Sequence, residues 1–172
     1  IYKKNSSTIC KTRFVDETNK YKILGVYDVD DKNLSIKEEK ILRKKIIQNI
    51  NKNKIVIVSD YGHGMISKKN ANLICKKSNF LALNAQVNAS NIGYHTIRNY
   101  KNFNTLIINE KEIRHEMRDK VSKLETLMSK LSKEKNIKNV IVTVGSEGSI
   151  LYNKIKNKFF YGDAYAHKII DK

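Results

Sequence analysis

Lys54-Ile55-Val56-Ile57-Val58-Ser59 is an unbroken β-branched run, which predicts a strand buried on both faces of a sheet. Phe80-Leu81-Ala82-Leu83, Thr105-Leu106-Ile107-Ile108 and Val140-Ile141-Val142-Thr143 repeat the signal. Between these runs the apolar spacing becomes helical. Ser67 caps a helix reaching about Lys77, another follows Asn109, and a long amphipathic helix carries Val121, Leu124, Leu127, Met128 and Leu131. Residues 88–100 read as a short helix near 91–98, and 149–152 and 158–161 as an antiparallel pair. Upstream, Ser35 and Glu38 have the spacing of a capping box. They open a helix over 36–50, with Ile36, Leu42, Ile46 and Ile50 near one face. Residues 7–16 and 21–28 flank a turn at 17–20 and form a hairpin. That ribbon is too small to hold a core alone and must rest on something else.

Strands alternating with helices predict an α/β fold: a mostly parallel sheet with helices on both faces, plus the β-hairpin. Ligands of open sheets bind at the carboxyl ends of the strands. Three segments fall there: 59–64, 109–112 and 143–148.

The chain has 172 residues, 40% of them hydrophobic, enough for one packed domain. Its two cysteines, Cys10 and Cys75, form no metal-ligand cluster with histidines. A reducing, cytoplasmic setting is the expectation. No apolar run approaches the roughly 20 residues of a membrane span. Lys+Arg number 34 against 17 Asp+Glu, a formal charge of +17. The lysines are scattered in pairs such as Lys44-Lys45, Lys68-Lys69 and Lys76-Lys77, without interleaved aromatics. Abundant Lys, Asn and Ile with no Pro fit A+T-biased codons, so nucleic-acid binding is not the expected role. The chain opens at Ile1 and stops at Lys172 after Ile169-Ile170, and it reads as a fragment of a longer protein.

Four constellations could carry chemistry. Thr143-Val144-Gly145-Ser146-Glu147-Gly148 brings a hydroxyl and two glycines to the end of a buried strand. Its amides could cradle anionic oxygens, and an ordinary tight turn would want the same glycines. Asn109 with Glu112 could hold a hydrated Mg²⁺, and the same pair is a helix-starting cap that needs no ligand, the reading that spacing alone favours. Asp60, followed by Tyr61-Gly62-His63-Gly64, suits a site floor or a solvated loop. His63 alone carries no catalytic role, and His95, His115 and His167 read as surface residues. Lys11 and Arg13, two apart on a strand, share one face that could meet a phosphate or sugar hydroxyls, or simply water.

In order, these segments resemble the ribokinase/PfkB carbohydrate kinases, most closely the heptose-phosphate kinase branch of ADP-heptose synthesis. Lys11-Thr12-Arg13 looks like the Lys-Thr-Arg strand of that branch, and Val58-Ser59-Asp60-Tyr61 like its Ser-Asp-Tyr segment. Asn109-Glu110-Lys111-Glu112 matches an Asn-x-x-Glu motif, and Thr143 to Gly148 a Thr-x-Gly-x-x-Gly motif. Several family features are not present. The N-terminal Gly-Gly segment is absent, and Leu83-Asn84-Ala85-Gln86-Val87-Asn88 stands where many relatives have Asp-Pro-Lys. The Gly-Ala-Gly-Asp motif, which carries the catalytic base, is expected beyond Lys172.

The resemblance implies phosphoryl transfer from MgATP to a sugar or sugar-phosphate hydroxyl. Thr143, Gly145, Ser146 and Gly148 would bind ATP, and Asn109 and Glu112 would hold Mg²⁺ through water. Lys11, Arg13 and Asp60 would face the substrate. Residues 1–34 would be part of a β lid and its return, and 35–172 an α/β core incomplete at its carboxyl end. It also makes a homodimer through the lid an expectation. Two alternatives stand beside it: a kinase-like noncatalytic scaffold fused to a nucleotidyltransferase, and a basic nucleic-acid-binding module.

Overall fold

A computed structural model describes residues 1–86 and 96–165. Strands β1 (Cys10–Val15) and β2 (Lys22–Asp28) pair antiparallel as an isolated ribbon. Then come α1 (Ile36–Ile50), β3 (Val56–Asp60), α2 (Lys68–Lys77), β4 (Leu81–Ala85) and β5 (Thr105–Asn109). The chain continues with α3 (Glu110–Met117), α4 (Leu124–Lys135), β6 (Asn139–Thr143), β7 (Ser149–Asn153) and β8 (Lys158–Gly162).

Strands β3 to β8 form one sheet in chain order. The pairings from β3 through β6 are parallel, and β6–β7 and β7–β8 are antiparallel. Helices flank the sheet, so the expected α/β fold class holds. Leu83, Leu106, Val140 and Val142 of the central strands are fully buried against Ile113 of α3 and Leu127, Met128 and Leu131 of α4. No helix among the described residues is long and apolar enough to cross a membrane.

Local signals place the helix starts. The Ser35 side chain accepts from the Glu38 amide, and Glu38 returns a bond to the Ser35 amide, so α1 begins where the capping box predicts. Ser67 caps α2 through the Asn70 amide.

Two expectations change, and a third lies largely outside the described residues. β3 is an edge strand, buried on one face only: Ile55 and Ile57 are 61% and 72% exposed. A β-branched run reports strand propensity, whereas coverage depends on which elements lie beside it. Val121 is 93% exposed and precedes α4 rather than belonging to its apolar stripe. The turn before α4 is organised instead by Asp119, which accepts from the Val121 and Ser122 amides. The helix expected near 91–98 falls largely on residues 87–95, which lie outside the described residues; Ile97–Asn99 is a single 3₁₀ turn. His95 and His167 also lie outside the described residues.

Candidate active site

The carboxyl ends of the parallel strands form one rim. Asn109, the last residue of β5, is the register partner of Thr143, the last residue of β6. At the other end of the parallel set, Asp60 closes β3 beside Ala85 of β4.

After β6 the chain makes a 3₁₀ turn at Gly145–Glu147. Gly145 has φ +63°, and a Cβ built there would meet nothing within 4 Å, so the space over it is open. Gly148 serves packing instead: its Cβ would lie 2.0 Å from the Gly162 carbonyl of β8. The Glu147 and Gly148 amides are used within the turn, whereas those of Gly145 and Ser146 make no backbone hydrogen bond among the described residues. Thr143, Gly145 and Ser146 are exposed. An exposed threonine and two amides without a backbone partner among the described residues thus lie beside the open space over Gly145, a geometry suited to anionic oxygens.

Asn109 and Glu112 form a complete capping box. The Glu112 amide donates to Asn109 Oδ1 at 2.8 Å, and the Asn109 amide donates to Glu112 Oε2 at 2.8 Å. Glu112 is only 7% exposed. The cap reading of the sequence is therefore realised, and any cation here would be met mainly through water. No group of three or more His, Cys, Asp or Glu side chains able to hold a metal occurs among the described residues.

The loop after β3 is pinned on both sides. Asp60 is 5% exposed; it accepts from the Gly62 amide at 3.0 Å and from the Tyr100 hydroxyl at 2.7 Å. Burial, reinforced by the Asp60 carboxylate, pushes the Tyr100 hydroxyl far above its ordinary pKa. Gly64 has φ +73°, and a Cβ there would sit 2.1 Å from the Lys32 carbonyl. Only glycine lets the β2–α1 connector pass this close. His63 Nδ1 lies 2.6 Å from Asp31 Oδ1 on that connector, and its side chain is 10% exposed.

The ribbon stands above this loop on two stalks held at the start of α1. Glu38 accepts from the Lys4 amide at 2.6 Å and from the Ser35 amide at 2.8 Å. These bonds hold its carboxyl well below the ordinary range, at about 2. Beneath the ribbon lies a cavity of about 450 Å³ lined by Lys3, Ser7, Lys11, Asp60, Tyr61 and His63 among others. Lys11 Nζ sits 5.7 Å from the Tyr27 ring centre and 5.9 Å from that of Tyr61, held by cation–π attraction. Arg13, paired with Gly25, lies one step farther out and does not line the cavity.

Thus Lys11 and Asp60 meet at one cavity, while Asn109, Glu112, Thr143, Gly145 and Ser146 gather farther along the same rim. His63, Tyr61 and Tyr100 are added by the structure. The loop's glycines and carboxylate were visible in sequence, but the partners of His63 and Asp60 are 32 and 40 positions away.

No family model and no curated protein matches this chain. Solved structures do. Ribokinase from Giardia lamblia superposes with a TM-score of 0.63 at 17% identity, covering 96% of this chain and 51% of that one. Ribokinase from Thermotoga maritima gives 0.60 at 18%, covering 94% and 50%. Phosphofructokinase-2 from Escherichia coli, in complex with potassium, gives 0.61 at 12%, covering 84% and 47%. The chain has the ribokinase-like fold shared by these sugar kinases and spans about half of their length.

Proposed function

We propose that this chain forms part of an ATP-dependent kinase acting on a sugar or sugar phosphate, heptose phosphates being the candidates that the Lys-Thr-Arg and Ser-Asp-Tyr segments favour. The observation that carries the reading is the shared rim. The open turn after Thr143 and the cavity beside Asp60 lie at the same end of one sheet, three strand spacings apart, about 14 Å. That separation suits a nucleotide tail reaching toward a sugar.

The residues fit the groups such a reaction needs. MgATP would supply the transferable phosphoryl group and the cation that neutralises it. Thr143 and the Gly145 and Ser146 amides would receive phosphate oxygens, with Gly148 fixing the turn. Asn109 and Glu112, already committed to the cap, would orient waters around Mg²⁺. Lys11 would meet an anionic or hydroxyl-rich substrate from above, and Arg13 would reach it when the ribbon closes. Asp60, bonded to Tyr100 and Gly62, would hold the cavity floor rigid.

We further assign residues 1–34 to a lid and its return, and 35–172 to the core. The ribbon face turned away from the cavity carries Phe14, Leu24 and Val26, 52%, 54% and 51% exposed. It would pair two copies of the protein.

Titration of the 172-residue chain with a fluorescent ATP analogue tests the reading. Mg²⁺-dependent binding is expected, without turnover, because the Gly-Ala-Gly-Asp motif that carries the base in the resembled family does not occur in residues 1–172. Absence of nucleotide binding, or sugar phosphorylation at a full kinase rate, would overturn it.

A further inference from the structure

His63 combines two features that packing alone leaves unexplained. Its Nδ1 is held by Asp31 at 2.6 Å, while its Nε2 is buried and has no hydrogen-bond partner. Buried polar atoms are nearly always paired, and one left unpaired carries a desolvation penalty. His63 is among the residues lining the cavity beneath the ribbon, with Lys11 and Tyr61. The loop cannot easily turn away, because Gly64 is packed on the Lys32 carbonyl and its own carbonyl accepts from the Leu34 amide at 3.3 Å.

The pairing sets the tautomer. In the neutral ring, an ionised Asp31 carboxylate, which only accepts, would hold the imidazole proton on Nδ1. Nε2 is then a bare lone pair. Lys3 and Lys11, which also line the cavity, offer only donors, while Asp30, Asp60 and the serine hydroxyls add acceptors. A cavity lined by ammonium donors together with carboxylate, hydroxyl and imidazole acceptors suits a ligand with both donating hydroxyls and electron-rich oxygens.

We propose that Asp31 and His63 form a dyad in which His63 Nε2 accepts a hydrogen bond from a hydroxyl of the bound sugar, Asp31 being the positioning residue. The assignment rests on reading this cavity as the sugar site. It makes His63 a specificity residue: a sugar lacking that hydroxyl would leave the nitrogen unpaired and bind less well.

The experiment uses the full chain labelled with ¹⁵N-histidine, titrated with D-ribose, D-fructose 6-phosphate and D-sedoheptulose 7-phosphate. His63 is assigned by the loss of its resonances in His63→Leu. The expected result is an unprotonated Nε2 in the free protein that shifts when one of the three sugars binds. His63→Leu should weaken that sugar about tenfold, the scale of one neutral hydrogen bond. Asp31→Ala keeps the ring but should mix the two tautomers and weaken the sugar by a smaller factor.

Equal sugar affinity in wild type and His63→Leu would overturn the proposal. So would a proton on Nε2 with Nδ1 bare, or no binding of any of the three sugars. Binding of the fluorescent ATP analogue is measured in parallel. Sugar binding that depends on His63 without nucleotide binding would support the dyad while removing the kinase reading. Nucleotide binding with sugar affinity indifferent to His63 would do the reverse.

Discussion

Asn109 and Thr143 are register partners at the ends of adjacent parallel strands, β5 and β6. One strand spacing of about 4.8 Å therefore separates a helix cap from an exposed hydroxyl. The cap belongs to folding, whereas the hydroxyl has no packing duty. Thr143→Val should accordingly leave thermal stability within about 0.5 kcal/mol, as exposed substitutions usually do. Nucleotide affinity should fall roughly tenfold, the loss of one hydrogen bond to a charged group. Calorimetric titration beside a melting curve checks both. Unchanged affinity would remove Thr143 from the phosphate site.

Asn109 needs a substitution that separates its two roles. Aspartate caps helices as well as asparagine does, so Asn109→Asp should unfold like wild type. Asn109→Ala should lose about 1 kcal/mol. Its proposed second role is to orient waters around Mg²⁺, so the added negative charge should change the Mg²⁺ dependence and the affinity of nucleotide binding in Asn109→Asp without a stability change. Urea denaturation and nucleotide titration of both variants decide. Equal affinity in wild type and Asn109→Asp would leave the residue a cap alone.

Glu38 links acid stability to the ribbon. The Lys4 amide, then Ser35, holds its carboxyl at about 2, below an ordinary value of 4.5. A depressed folded-state pKa contributes stability above the unfolded value, and that contribution is lost as pH falls through the folded one. Glu38→Gln should therefore be less stable than wild type at pH 7. The difference should shrink between about pH 4.5 and pH 2. Melting temperatures of both proteins across that range test it. A constant offset would place the effect of Glu38 outside its ionised form.

Much of this architecture was legible because its determinants are local. The start of α1 follows from Ser35 and Glu38, three residues apart, and the cap of α3 from Asn109 and Glu112. Strands alternating with helices imply the shared rim that makes Asn109 and Thr143 neighbours. What escaped was non-local. The exposure of Ile57 depends on β3 lying at the sheet edge, and no run of β-branched residues reports that. His63 read as a loop histidine because Asp31, its partner, lies before α1 in a different segment. The Tyr100–Asp60 bond joins residues 40 apart for the same reason.

The ribbon supplies the last test. Cross-strand neighbours point to one face, so Thr12 with Val26 and Phe14 with Leu24 share a side, while Lys11 with Tyr27 occupies the other. The Lys11 side covers the cavity. The Phe14 side leaves Phe14, Leu24 and Val26 about half exposed, and a two-stranded ribbon with an apolar face is marginal alone in water. Pairing two such faces would bury Phe14, Leu24 and Val26 from both copies. The double variant Phe14→Glu, Val26→Glu should convert a dimer into a monomer in sedimentation equilibrium. The core should keep its melting transition, because the ribbon is a sheet separate from the six-stranded core sheet. A wild-type chain that is monomeric at high micromolar concentration would remove the lid from the dimer interface and leave its apolar face without a partner.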